Sequence, residues 1–166
     1  MPLPDRPVAN TTMESAWGQA VHDYTFAPKG CDLNGTTVNV VDTTPDKCYL
    51  HLAADDPGGF LDAANNQAEV PTGGEGLYLI DAKINSVNGG AGTQTRIWVY
   101  INGSPWRWAN EDNNGGTNVS VSTNGLADLT AGDTVQVWCQ RRGSGADPTV
   151  HVLHLQLVRI GAELGA

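Results

Sequence analysis

From Gly76 onward, apolar side chains recur at every second position in runs separated by turns rich in Gly, Asn and Asp. A period of two is that of an extended strand, and a polar alternate face marks a strand with one side in a core. In VQVWCQ, Val135, Val137 and Cys139 share one face, and Gln136, Trp138 and Gln140 share the other. IWVYI is apolar on both sides, with Ile97, Val99 and Ile101 opposed to Trp98 and Tyr100. A strand of that kind needs two partners, a core on one side and a neighbouring subunit on the other. The last run makes a similar double demand, with His151, Leu153, Leu155 and Leu157 set against Val152, His154, Gln156 and Val158. Trp98, Tyr100, Trp138 and His154, on these second faces, are the candidates for a contact between subunits. The turns carry their own chemistry. Asn102-Gly103 supplies two residues that tolerate a positive φ, as a tight hairpin requires. In Ala131-Gly132-Asp133 the Asp can hydrogen-bond its own backbone.

Upstream, two β-rich runs, GTTVNVVDTT and KCYLHLAADD, flank Pro45 and Asp46, which predicts a first hairpin. A loop-rich stretch follows, anchored by Phe60 and Leu61, with a short strand near Gln67 to Val70. The chain opens on a Pro-rich leader and one predicted helix. Thr11 and Glu14 have capping-box spacing, and Met13, Trp17, Ala20 and Tyr24 recur at helical steps. A helix of this length is marginal alone, so the stripe needs a partner. Two readings stay open: packing on the chain's own sandwich or sister subunits, or an anchoring arm that docks on a larger assembly. The expected organisation is an arm and helix over residues 1–30 and an all-β sandwich over 31–166.

Composition narrows the function. Of the 166 residues, 9 are basic and 18 acidic, a formal charge of −9 that repels phosphate backbones and argues against nucleic-acid binding. The longest apolar runs fall far below the roughly 20 residues that span a bilayer, so no membrane partner is expected. The first residues lack the basic and apolar regions of a signal peptide, which predicts that the protein stays where it is made. Cys31, Cys48 and Cys139 form no CxxC pair and read as buried thiols; a Cys31–Cys48 approach across the first hairpin stays open.

Catalytic motifs such as GxSxG, HExxH and the phosphate-binding glycine loops do not occur. The four histidines are scattered, and His151 and His154 fall on opposite faces of one strand, which argues against a shared metal. The acidic pairs Asp55-Asp56 and Glu111-Asp112 read as solvated loop chemistry. Trp106 and Trp108 alternate around Arg107 and would share a strand face, either as a sugar-stacking ligand surface or as packing. No catalytic residue, cofactor or enzymatic activity is expected.

The stretch GGFLDAANNQAEVPTGGEGLYLIDAKINS, followed in order by RIWVYINGSPW, GLADLTAGDTVQVWCQ and VHVLHLQLVRIG, resembles the globular head of complement subcomponent one-q, a branch of the tumour-necrosis-factor-like jelly rolls. The resemblance covers about 100 of 166 residues. It implies a jelly-roll β-sandwich and a compact homotrimer, with calcium bound by loop carboxylates in some members. The collagen-like Gly-X-Y stalk of the secreted animal branch is missing, so the roles of that branch do not carry over. The opening RPVANTTMESAWGQAVHD is similar instead to structural proteins of tailed bacteriophages. Together these predict a non-enzymatic virion protein, made in the host cytoplasm and displayed on the virion surface. It would be a trimeric decoration protein bound to the major capsid protein or another virion protein through Met13, Trp17, Ala20 and Tyr24. The alternative is a minor tail or receptor-binding module that reads a host glycan through loops around Trp106 and Trp108.

Overall fold

The computed structural model describes residues 30–36, 44–87, 93–113, 118–142 and 149–161. The predicted arm and helix, with Met13, Trp17, Ala20 and Tyr24, lie outside these residues. What is described is all β: β1 (Gly30–Thr36), β2 (Asp46–Lys47), β3 (Tyr49–Asp55), β4 (Leu61–Asp62), β5 (Gln67–Glu69), β6 (Gly76–Val87), β7 (Thr93–Ile101), β8 (Ser104–Asn113), β9 (Asn118–Leu129), β10 (Thr134–Arg142) and β11 (Thr149–Gly161).

Two antiparallel sheets face each other. Sheet A has the order β3-β1-β11-β6-β9, and sheet B the order β4-β5-β10-β7-β8, with β2 paired to β10. Apart from β4–β5 and β7–β8, the neighbours in these lists are not consecutive along the chain, which crosses repeatedly from one sheet to the other. The hairpin β7–β8 stays within sheet B and turns at Asn102 (φ 52°) and Gly103 (φ 73°), both in the left-handed region that the Asn-Gly pair predicts. Gly132 (φ 87°) makes the β9–β10 turn.

The core lies between the sheets. Alternate residues of each strand enter it: Leu33 from β1, Tyr78, Ile80, Ala82 and Ile84 from β6, Ile97 and Val99 from β7, Val135, Val137 and Cys139 from β10, and Leu153, Leu155 and Leu157 from β11. Close-packed aliphatic side chains of this size each contribute about 1.5–3 kcal/mol through removal from water. Phe60 is fully buried and meets the Tyr78 ring edge-on at 6.1 Å between centroids. Its loop is fixed by Asp56, whose carboxylate accepts hydrogen bonds from the Phe60 and Leu61 amides at 2.7 and 2.9 Å. The Tyr78 hydroxyl donates to the Gly74 carbonyl. The expected anchor, short strand and loop between residues 55 and 76 are thus observed.

Two expectations need correction, and one lies mostly outside the described residues. β1 pairs antiparallel with β3, but of the run GTTVNVVDTT only Gly35, Thr36 and Thr44 are among the described residues. Cys31 and Cys48 do not meet: with Thr36 opposite Tyr49 and Asp32 opposite Asp55, the hairpin holds them at opposite ends. All three cysteines are free, and Cys48 instead hydrogen-bonds Cys139 across the β2–β10 pairing. Burial, then the Cys139 contact, holds the Cys48 thiol far above its usual range; burial, then the nearby Asp56 charge, does the same for Cys31. Glu111 and Asp112 belong to β8 and not to a loop.

Candidate functional site

With the core between the sheets, the chain's distinguishing chemistry sits on the two outer faces. On sheet A, Leu126 of β9 stands opposite Leu79 of β6, and Leu79 stands opposite Val158 of β11. This row crosses three strands, and Ile160 lies beside it on β11. The four side chains are 53%, 39%, 37% and 53% exposed for Leu126, Leu79, Val158 and Ile160. Clustered in this way, they form an exposed apolar patch, the kind of surface that marks a site of association when it is continuous. Further along the same face the chemistry turns polar. His154 Nε2 lies 2.7 Å from Asp32 Oδ1, and Lys83 and Gln156 face the same way.

Sheet B carries a different surface. Trp138 of β10 is directly opposite Trp98 of β7, which is directly opposite Trp108 of β8. Tyr100 lies beside Trp138, with ring centroids 5.1 Å apart and planes tilted by 32°. Hydrogen-bonded chains of side chains flank these rings. On one side Trp138 Nε1 donates to Gln136 Oε1 (3.3 Å), Gln136 Nε2 donates to Gln67 Oε1 (2.8 Å), and Gln67 Nε2 donates to Asp62 Oδ2 (3.0 Å). On the other, Arg96 Nε donates to Gln94 Oε1 (2.6 Å), and Gln94 Nε2 donates to Asp112 Oδ1 (2.7 Å). The Asp62 carboxyl is held below its usual range, first by the Asn65 side-chain amide and then by other donors of its turn, including Gln67.

The sequence candidates therefore separate. Of the four proposed subunit contacts, Trp98, Tyr100 and Trp138 share the outer face of sheet B, whereas His154 lies on sheet A at the opposite side of the molecule. Trp106 and Trp108 separate as well, and a bulge is the reason. Val99 pairs with Arg107 but Tyr100 pairs with Pro105, so Trp106 is an extra residue in β8. It turns inward to pack on the core, and Arg107 lies over its ring at 5.1 Å. Trp108 keeps the outward side and is 60% exposed. The row of Leu79, Leu126 and Val158 was missed, although GLYLI carries the same two-sided apolar signal as IWVYI. Among the described residues no group of three or more His, Cys, Asp or Glu side chains is placed to hold a metal ion.

Comparison with solved structures supports the strand order. The globular domain of zebrafish complement 1qA superposes with a TM-score of 0.59 at 12% identity, covering 80% of this chain and 99% of that domain. Murine APRIL, at pH 8.0, superposes with a TM-score of 0.55 at 16% identity, covering 80% of this chain and all of that one. The fold is the TNF-like jelly roll. No family model matches the chain. Among curated proteins, the uncharacterised protein YqcC of Bacillus subtilis (strain 168) is 27% identical over 99 residues, which cover 56% of this chain. The chain spans about a quarter (26%) of the length of that relative.

Proposed function

We propose that this jelly roll is a non-enzymatic assembly module: a homotrimer formed through the outer face of sheet A and fixed to the surface of a virion by residues 1–30. The apolar row of Leu126, Leu79 and Val158, with Ile160 beside it, carries the reading. Covering such a patch with a second copy of itself returns the transfer free energy that exposure withholds, at about 25 cal/mol for each Å² removed from water. Threefold assembly follows the resemblance to complement one-q heads and their trimers. The virion and the capsid lattice follow the similarity of the N-terminal segment to tailed-phage structural proteins. A trimer would suit the local threefold positions of such a lattice, where Met13, Trp17, Ala20 and Tyr24 would supply aromatic and apolar anchors to the major capsid protein or another virion protein.

The test mixes purified protein with capsids that lack it, read by sedimentation and imaging, with the protein's solution mass measured alongside. Saturable addition of trimers at regular lattice positions supports the reading. A trimer that ignores capsids but adsorbs to host cells moves the assignment to a tail protein, and a protein that stays monomeric at high concentration overturns the assembly.

A further inference from the structure

The outer face of sheet B has no role in that assembly, since the apolar row belongs to the opposite sheet. We propose that it is a binding platform for a neutral, linear saccharide, with Trp108, Trp98 and Trp138 as the stacking surface and Gln136, Gln94 and Asp112 as the groups that read hydroxyls.

The aromatic rings do not serve the core. The inward faces of β7 and β10 fill it with Ile97, Val99, Val135, Val137 and Cys139, so the rings on the other side of the same strands project away from it. Trp138, Trp98 and Trp108 occupy matched positions on three consecutive strands. Strands lie about 4.8 Å apart, so the row spans roughly 10 Å. It is a flat strip and not a pocket, which suits a run of sugar rings better than a single terminal sugar. Its outer end is Trp108, on the edge strand β8 and 60% exposed. Tyr100 widens the strip beside Trp138.

The flanks decide the chemical class. Gln136 and Gln94 are each held by a neighbour at 2.6–2.8 Å, Gln136 by the buried Gln67, so their amides are oriented before any ligand arrives. An amide has two N–H donors and two acceptor lone pairs, so each retains capacity after those bonds are made. Asp112 and Asp62 add acceptors. A wholly apolar partner would strip water from these groups without replacing its hydrogen bonds, which costs about 1–3 kcal/mol for each group left unpaired. A polynucleotide would stack well but is opposed by the net charge of −9. A pyranose chain meets both demands, with a C–H-rich ring face for the indoles and equatorial hydroxyls for the amides and carboxylates. The flank carboxylates Asp62 and Asp112 are matched by Lys47, opposite Trp138, and Arg96, bonded to Gln94, so the face has no excess charge of its own and suits a neutral chain.

The experiment titrates the full chain with cellohexaose, chitohexaose, maltohexaose and mannohexaose, read by tryptophan fluorescence and calorimetry. At least one sugar is expected to bind. Trp108→Ala, at an exposed site, is expected to weaken that binding about tenfold, in line with the loss of one stacking ring. Leu126→Asp on sheet A is expected to leave sugar affinity unchanged even where it dissolves the trimer, so failure of the assembly reading and failure of the platform are told apart. Trp98→Phe, which retains a ring, should weaken binding less than Trp108→Ala while circular dichroism stays native. The proposal is overturned if no sugar of the panel binds the folded protein, or if bound sugar is indifferent to Trp108→Ala. It is equally overturned if this face binds a protein partner and no saccharide.

Discussion

Asn102 joins two hairpins at one end of the sandwich. Its side-chain amide donates to Asp133 Oδ1 (2.8 Å), its Oδ1 accepts from the Thr134 amide (2.9 Å), and its own amide donates to the Thr134 carbonyl (3.0 Å). Asp133 Oδ2 in turn accepts from the Thr130 amide and hydroxyl at 2.7 and 3.0 Å. Asn102→Gly keeps the positive φ but loses the bridge, and is expected to cost about 1–2 kcal/mol in urea unfolding. Asn102→Ala loses the bridge and adds left-handed strain, so it should cost more than the glycine variant by roughly 1 kcal/mol. Partial burial acts upward on the Asp133 carboxyl, but the donors from Thr130 and Asn102 outweigh it and set the folded value below the ordinary one. A depressed folded value stabilises the protein above the unfolded value, and that stability is lost as pH falls through the folded value. The difference in unfolding free energy between wild type and Asp133→Asn should therefore be present at pH 7 and shrink as pH falls below the ordinary carboxylate range. Sequence alone shows Asn102 and Asp133 as turn residues, because turn chemistry is local. Their mutual contact joins positions 31 apart and exists only once β7 and β10 have paired.

At the scale of the element, β8 shows how a single inserted residue rewrites a face. Strict alternation puts Trp106 with Trp108, but the bulge turns Trp106 inward and leaves Arg107 on the same inward side, stacked on its neighbour's ring. Arg107 reaches across to sheet A, where Gly125 leaves it room: a Cβ there would collide with the Arg107 guanidinium group. The group it meets is the far end of an exposed, flexible side chain that can give way, so Gly125→Val should cost less than about 1 kcal/mol in thermal or urea unfolding. Strands β6, β7, β10 and β11 were legible because each is long and patterned, whereas of β9 only the end at GLADL was. The two-residue β2 and β4 were not, since two residues carry no period, and their pairing is set by β10 and β5. The small strand β2 also brings Cys48 to Cys139. With burial holding the Cys48 and Cys31 thiols protonated, both should resist alkylation at pH 8 in the native protein and react readily in denaturant, as counted by mass spectrometry.

At the scale of the whole molecule, the sandwich presents two unlike outer faces, apolar leucines on sheet A and aromatic rings bordered by amides on sheet B. The paired substitution Leu79→Asp with Leu126→Asp is expected to convert the assembled protein to a folded monomer, as measured by sedimentation equilibrium and circular dichroism. Retention of the assembled mass would remove sheet A from the interface. The chain's jelly-roll class was readable from turn order and strand pattern, but the sorting of Trp98, Tyr100 and Trp138 away from His154 was not. Which strands share a sheet depends on crossovers that a period-two pattern does not encode. The pairing of the first described strand with the last, Gly30 opposite Val158, adds a mechanical consequence. The described chain enters and leaves at the same end of the body, as a pendant hangs from its clasp. Tension applied between those two points would open the β1–β11 ladder like a zip, one rung at a time, instead of shearing all its rungs together. A module joined this way tolerates load best when pulled by one end, with its other end free or shielded by neighbouring copies.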